Sequence, residues 1–172
     1  MKTFEIEQKY RIQDPARVRN LLRRLGAKKI RAGSESNELF DLHEMLRSQA
    51  SILRLRRHGN ARAGILTFKG PQLKGPYKKR REIETPVDWA AARALLKAAG
   101  FQAVAGYSKR REEYSLRQAH VTLDHLTRFG WFLEIEGKPA QIAVLEKKLG
   151  FSKKNREERT YLEILGTRHA SS

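Results

Sequence analysis

The chain has 172 residues and a mass of 19.9 kDa, enough for one domain around one sizeable core and too short for two unrelated ones. Lys and Arg number 36 against 19 Asp and Glu, a formal charge of +17, so the natural partner is an anion: nucleic acid, nucleotide, polyphosphate or acidic lipid. The absence of cysteine excludes disulfide frameworks, thiolate metal sites and cysteine nucleophiles, leaving oxygen or imidazole to hold any metal.

Residues 3–12 alternate with period two, Phe4, Ile6, Tyr10 and Ile12 on one side and Glu5, Glu7, Lys9 and Arg11 on the other, which predicts a strand with one apolar face. Asp14 stands at an N-cap position and Pro15 at the first helical one. Val18, Leu21, Leu22 and Leu25 recur at helical spacing, and Gly26 is the stop, so a helix is expected over about 15–25. The same grammar returns twice. Glu82-Ile83-Glu84 leads through Pro86 and Asp88 into Trp89, Ala92, Leu95, Leu96 and Ala99, closed by Gly100; Glu134-Ile135-Glu136 leads through Pro139 into Ile142, Leu145 and Leu149, closed by Gly150. The unequal spacing of these units argues against a solenoid and for a pseudo-symmetric single domain.

Further strands are expected at 36–42, 51–58, 64–69, 77–85, 106–116, 120–125 and 158–164, with turns at His58-Gly59-Asn60 and Gly70-Pro71. About eight strands and three helices make an α+β chain with a predominantly antiparallel sheet. One domain over 1–166 is expected, ending in a loose tail, Thr167–Ser172. The longest apolar stretch, 89–106, is broken by Arg93 and Lys97, and the N-terminus reaches acidic residues before a signal-like apolar run can form. No membrane span and a cytoplasmic location are therefore expected.

Charge recurs on one side of strand after strand: Arg54 with Arg56, Thr67 with Lys69, Arg80 with Glu82 and Glu84, Lys109 with Arg111, Glu134 with Glu136. A single solvated sheet face would give this in any one strand. Repeated over eight strands whose apolar faces can pack against three amphipathic helices, it fits a barrel with a charged lumen, which is costly unless something occupies it. The carboxylates in i, i+2 pairs (Glu5 and Glu7, Glu82 and Glu84, Glu134 and Glu136), with Asp124, supply hard oxygen ligands for Mg²⁺ or Mn²⁺. Lys9, Arg54, Arg56, Lys69, Lys109 and Arg111 supply donors to phosphate oxygens. Metal plus many cations is the equipment of phosphoryl transfer.

Glu5-x-Glu7-x-Lys9 resembles the ExExK signature of the CYTH superfamily, the triphosphate tunnel metalloenzymes. The order of the later motifs strengthens the likeness: Leu53-Arg54-Leu55-Arg56, Thr67-Phe68-Lys69-Gly70, Arg80-x-Glu82-x-Glu84, Lys109-x-Arg111, Asp124 and Phe132-Leu133-Glu134-Ile135-Glu136. The resemblance spans residues 4–165, with Arg159-Thr160-Tyr161 where many members have Lys-Ser-Tyr and Thr3-Phe4 directly before the signature. It implies an eight-stranded antiparallel β-barrel, the triphosphate tunnel, with helices packed outside. Glu5, Glu7, Asp124, Glu134 and Glu136 would hold one or two divalent cations, Mg²⁺ or Mn²⁺. Lys9, Arg54, Arg56, Lys69, Lys109 and Arg111 would bind the triphosphate; Glu7, Lys9 and Glu134 would be catalytic, and Glu82 and Glu84 additional acids. Gly100-Phe101, Tyr107 and Gly130-x-Phe132 look most like the CyaB-type class IV adenylate cyclases, which form cyclic AMP and pyrophosphate from ATP. Hydrolysis of inorganic or thiamine triphosphate is the alternative, since the same charges serve either nucleophile, and the cyclase-like relatives suggest a homodimer.

The histidines and the basic runs weigh less. His43, His58, His120, His125 and His169 show no metal-ligand spacing and read as surface or turn residues. Lys78-Lys79-Arg80-Arg81 and Lys109-Arg110-Arg111 resemble a nucleic-acid patch, but in a strand half of each run faces outward, so a solvated face is the better reading and a non-enzymatic polyphosphate or nucleic-acid binder the lesser one.

Overall fold

The computed structural model describes residues 4–166, and the expected tail at 167–172 lies outside the described residues. In chain order the elements are β1 (Phe4–Ile12), α1 (Pro15–Arg24), β2 (Lys28–Asp41), α2 (Met45–Ser48), β3 (Ile52–His58), β4 (Ala63–Leu73), β5 (Lys78–Asp88), α3 (Trp89–Ala98), β6 (Gln102–Leu116), β7 (Ala119–Leu126), β8 (Gly130–Glu136), α4 (Pro139–Lys148), a 3₁₀ turn (Lys153–Asn155) and α5 (Tyr161–Ile164). The strands form a closed barrel in the order β1-β5-β4-β3-β2-β6-β7-β8, antiparallel at every described pairing, with the helices outside it. The chain resolves into two compact units: the described part of Met1–Glu5 with Ser34–Ser108, and Ile6–Gly33 with the described residues from Lys109 onward.

In the first unit, Phe40, Leu55 and Leu96 are the buried centre of a cluster joined by Leu53, Leu66, Val87, Trp89, Ala92 and Phe101. These come from Phe40 of β2, the odd face of β3, Leu66 of β4, Val87 of β5, the inner side of α3 and Phe101 just beyond it, so the opposite faces of β3 and β4 are left largely to polar residues. Asp88 starts α3 by accepting a hydrogen bond from Ala91 N at 2.9 Å. Gly64 has no room for a side chain: a Cβ there would lie 3.1 Å from Trp89 Cδ1 and 3.0 Å from the Arg56 carbonyl oxygen.

The second unit buries Tyr10, Ile12, Val18, Leu22, Val121, Leu123, Leu133, Ile135, Ile142 and Leu145. Its α1 is capped as its sequence dictates, Asp14 accepting from Arg17 N at 2.9 Å with Pro15 next in the chain. Tyr10 stacks on Phe151 with ring centroids 4.9 Å apart. The glycines that end α1, α3 and α4 all have positive φ (81°, 90° and 78° for Gly26, Gly100 and Gly150).

Three expectations are corrected. Residues 158–164 are not a strand: Thr160 caps α5, its Oγ1 accepting from Glu163 N at 3.3 Å while Glu163 accepts from Thr160 N at 2.6 Å, a reciprocal T-x-x-E cap that overrides the alternation around it. Gly70-Pro71 is not a turn but lies at a register shift between Lys69 and Gln72 inside β4. The strands β2 and β6 begin at Lys28 and Gln102, earlier than the apolar pattern starts, because these segments are exposed and carry little alternation for burial to impose.

Candidate functional site

Register fixes which side chains share a face. In the first unit Arg54 pairs with Thr67 and Leu39, Arg56 with Asn37, Thr67 with Glu84, and Lys69 with Glu82, so Asn37, Arg54, Arg56, Thr67, Lys69, Glu82 and Glu84 lie on the face turned away from the α3 cluster. Lys69 Nζ donates to both oxygens of Glu5 at 2.8 and 2.7 Å and lies 3.3 Å from Glu82. Glu84 Oε1 accepts from Thr67 at 2.8 Å and from Arg56 at 3.3 Å, with Arg54 at 3.7 Å.

Three carboxyls in so small a space cannot all ionise at equal cost. Burial alone would raise Glu5, but the adjacent Lys69 ammonium and a hydrogen bond from Glu82 hold it well below the usual carboxylate range. Burial raises Glu82, and the Glu5 anion beside it adds to the effect against the pull of Lys69. Burial likewise opposes ionisation of Glu84, yet Arg56 and the Thr67 hydroxyl bring it down. Glu82 is therefore the carboxyl of the cluster that gives up its proton last, and Arg54 stays charged against its burial through Tyr107, Glu35 and Glu5.

On the neighbouring β2 end, Glu35 faces His58 in register, and the two offer ligand atoms within 4.8 Å of one another. Glu35 is fully buried. Sequence reasoning passed over both as ligands, because one acid and one histidine 23 positions apart carry no ligand spacing; only the β2–β3 pairing brings them together.

In the second unit the charged face is built from β1, β8, β7 and β6. Lys9 pairs with Glu134, Glu7 with Glu136, Glu134 with Thr122, and Arg111 with Asp124. Asp124, fully buried, accepts four hydrogen bonds: from Lys109 Nζ at 2.9 Å, from Arg111 Nε at 2.7 Å and Nη2 at 2.5 Å, and from the Tyr161 hydroxyl at 2.6 Å. Arg111 Nη2 also donates to Glu134 at 2.7 Å, and Lys9 lies 3.5 Å from the other Glu134 oxygen. Buried charges of this kind persist only when paired and hydrogen-bonded.

Tyr161 is the residue of this unit to which the sequence motif assigned no role. Its ring lies under two ammonium groups, 3.7 Å from Lys9 Nζ and 4.5 Å from Lys109 Nζ. Burial first, then the Asp124 and Glu134 charges, push its pKa well above the ordinary tyrosine value, so it stays a donor. Lys9 Nζ is held from a further side by the Arg159 carbonyl at 3.1 Å. The late Arg-Thr-Tyr segment is thus the floor beneath the lysines.

Glu5 falls with the first unit, while Glu7, Lys9, Asp124, Glu134 and Glu136 fall with the second. As a donor set for a hard divalent cation, Glu7, Glu134 and Glu136 fit: they are carboxylates on register-paired β1 and β8, none of them on the apolar face. Asp124 differs, since both its oxygens are taken up by cationic and phenolic donors. Of the histidines, His120 stands 3.5 Å from Glu113 and 3.9 Å from Glu136, closer to the charged face than a plain surface residue would be.

Among the described residues no helix is long and apolar enough to cross a membrane. Comparison with known proteins agrees with the geometry. The CYTH domain family model matches residues 3–161. A candidate adenylate cyclase of Methanocaldococcus jannaschii is 32% identical over 176 residues, covering 95% of this chain and 99% of its own, and the adenylate cyclase CyaB of Aeromonas hydrophila is 28% identical over 170 residues, covering 92% and 86%. The crystal structure of a candidate adenylate cyclase from Vibrio parahaemolyticus superposes with a TM-score of 0.86 at 25% identity, covering 96% of this chain and 99% of that one. A closed eight-stranded barrel, two charged strand faces and a match over nearly the whole length place this chain in the CYTH domain family.

Proposed function

We propose that the protein is a divalent-cation-dependent enzyme that turns over a triphosphate, and that its reaction is the class IV cyclisation of ATP to cyclic AMP and pyrophosphate. The observation that carries the triphosphate reading is the clustering of Lys9, Lys109 and Arg111 around Asp124 and Glu134, matched in the other unit by Arg54, Arg56 and Lys69 around Glu5, Glu82 and Glu84. Each set gathers three cations on one strand face, the donors that a chain of phosphates would need. The cyclase reading rests on the relatives, two of which bear that name over most of this chain.

In this reading, the two units act as one domain over 1–166. Arg54, Arg56 and Lys69 bind phosphate oxygens, as do Lys9, Lys109 and Arg111, and fixed positive charge of this kind neutralises the charge that grows as a P–O bond breaks. A divalent cation held by Glu7, Glu134 and Glu136 would supply Lewis-acid neutralisation of phosphate oxygens. Glu35 and His58 are a second place where such an ion can be tested. The ribose 3′-oxygen forms the new bond to the α-phosphorus, its proton passing to a nearby base, and the bond to the β-phosphate oxygen breaks to release pyrophosphate. What this chain contributes is alignment and fixed positive charge.

The deciding experiment incubates the purified protein with ATP, tripolyphosphate and thiamine triphosphate in Mg²⁺ or Mn²⁺ and measures cyclic AMP, pyrophosphate and orthophosphate separately. Cyclic AMP with equimolar pyrophosphate from ATP is expected. Orthophosphate without cyclic AMP would replace the cyclase by a triphosphatase; neither turnover nor binding of any triphosphate would overturn the enzyme reading. Sedimentation at micromolar protein tests the proposed homodimer.

A further inference from the structure

A separate recess lies wholly within the second unit, bounded by the end of α1, the turn between β6 and β7, and α4. Its volume is about 240 Å³, and Leu25, Leu116, Val144 and Leu145 give it an apolar wall, with the exposed side chains of Arg117 and Lys148 also lining it. Val144 is 51% exposed and forms part of the apolar wall.

The turn that carries Arg117 is built against the ordinary preference. Leu116 pairs with Ala119, so Arg117 and Gln118 make a two-residue hairpin turn with both φ values positive, 48° and 67°. Such turns favour Asn-Gly because other residues pay a steric cost in this region. Here the conformation is held from α4: Gln141 Nε2 donates to the Arg117 carbonyl at 3.2 Å, while Gln141 Oε1 accepts from Lys138 N at 3.0 Å. A fixed, unfavourable turn places an arginine where a glycine would fold more easily, which points to use of its side chain.

The charge around the groove has one sign. Arg117 and Lys148 line it, Arg23 and Arg24 stand in the last turn of α1 and Lys147 in that of α4, and the one acid within α4, Glu146, is turned to Arg156 at 3.1 Å. A second copy of this chain, itself at +17, would bring like charge to this rim and is disfavoured. A cationic or neutral guest would leave the rim unmatched.

We propose that this groove binds an anionic amphiphile: an alkyl or acyl chain lies against Leu25, Leu116, Val144 and Leu145, and its carboxylate or phosphate head pairs with Arg117 and Lys148. The apolar wall sets the affinity through chain length, and the two cations set the sign of the head group. The site is independent of the charged strand faces and of the reaction proposed for them.

The test titrates the full-length protein by calorimetry with decanoate and decyl phosphate below their micelle concentrations, with octanoate, decanol and decyltrimethylammonium as comparisons. Decanoate and decyl phosphate should bind one to one, and octanoate, two methylenes shorter, about 15-fold more weakly. Decanol and the ammonium should bind at least about tenfold more weakly than decanoate, the scale of one charged hydrogen bond. Val144→Glu, which puts an anion at an exposed position in the wall, should abolish binding, and Arg117→Ala with Lys148→Ala should erase the preference for anionic heads. Both variants should keep wild-type circular dichroism and triphosphate turnover. Equal binding of anionic, neutral and cationic head groups, unchanged binding in either variant, or displacement of decanoate by tripolyphosphate would each overturn the proposal, the last by placing the anion on the charged strand faces. A decyl phosphate titration that matches free inorganic phosphate would overturn it as well, since the chain would then add nothing.

Discussion

The Tyr161 hydroxyl donates to Asp124 at 2.6 Å while the Tyr161 ring supports Lys9 at 3.7 Å, so one side chain positions an anion through its edge and a cation through its face. Tyr161→Phe keeps the face and removes the hydroxyl, at a cost of about 1.5–3 kcal/mol for a hydrogen bond to a buried charge. Tyr161→Leu removes both and should cost about 0.5–2 kcal/mol more. Urea unfolding of the two variants separates the contributions; a Leu variant no worse than the Phe one would refute the support given to Lys9.

Glu7→Gln and Glu134→Gln keep side-chain volume and delete one negative charge each. Affinity for Mn²⁺, read by calorimetry or by paramagnetic relaxation of bulk water, should fall about 10–100-fold in each, with turnover lost and circular dichroism unchanged. Wild-type metal dependence in both variants would remove these residues from the cation site.

Arg54, Arg56 and Arg57 are near neighbours on β3 with opposite duties. Arg54 and Arg56 lie with Glu84, whereas Arg57 is stacked on Trp89 of α3 at 4.0 Å. Arg54→Ala or Arg56→Ala should lower tripolyphosphate affinity about 10–100-fold, the loss of one or two charged hydrogen bonds. Arg57→Ala should leave it unchanged and reduce the melting temperature instead. A triphosphate titration across the three variants shows whether the two faces divide in this way.

Acid sensitivity has a source outside the candidate site. Burial alone would raise Glu112, but Arg19, Tyr114 and Lys29 hold it down to about 2, with Arg19 Nη2 donating at 2.7 Å and the Tyr114 hydroxyl at 2.6 Å. A carboxyl lowered in the folded state contributes stability that is present above its unfolded value of 4.5 and is lost as pH falls toward 2. Glu112→Gln should therefore destabilise at pH 7 by about 1–2 kcal/mol, allowing for partial solvent screening, and flatten the decline between pH 5 and 2. Melting temperatures against pH for the two proteins measure this, and parallel curves would contradict it.

Glu82 gives the opposite sign. Its pKa is raised to about 8 from 4.5, so its contribution is complete below pH 4.5 and disappears as pH rises through 8. Glu82→Gln should resist alkaline destabilisation better than the wild type, as seen in unfolding at pH 9 against pH 6.

Alternation along β1, β3 and β8 makes the faces of those strands readable, because period two maps directly onto in and out once one side is apolar. Lys9, Arg54, Arg56 and Glu134 are therefore identifiable as face-sharing residues from the pattern alone. What escapes is partnership across strands. Nothing in Asp124 announces that it takes four donors, since these come from β6 and from Tyr161, 37 residues away. Glu35 and His58 escape for the same reason, as their proximity is a product of the β2–β3 register. The 158–164 segment misleads because Thr160 and Glu163 cap each other over a single turn, too short for helical periodicity to emerge.

The division of the chain also orders its synthesis. Ser34–Ser108 is continuous, and its β3–β4–β5 meander can zip by hairpins as it emerges from the ribosome. The other unit pairs residue 7 with residue 136, so although β1 also borders β5 in the barrel, its β8 edge, where Lys9 meets Glu134, is completed only after β8 has been made. Because Tyr161 comes later still, nascent chains stalled before it carry both lysines without their aromatic support and Asp124 without its phenol. Ligand competence should consequently arrive in one late step, after most of the sheet exists, with the β8-facing edge of β1 open to wrong partners until then.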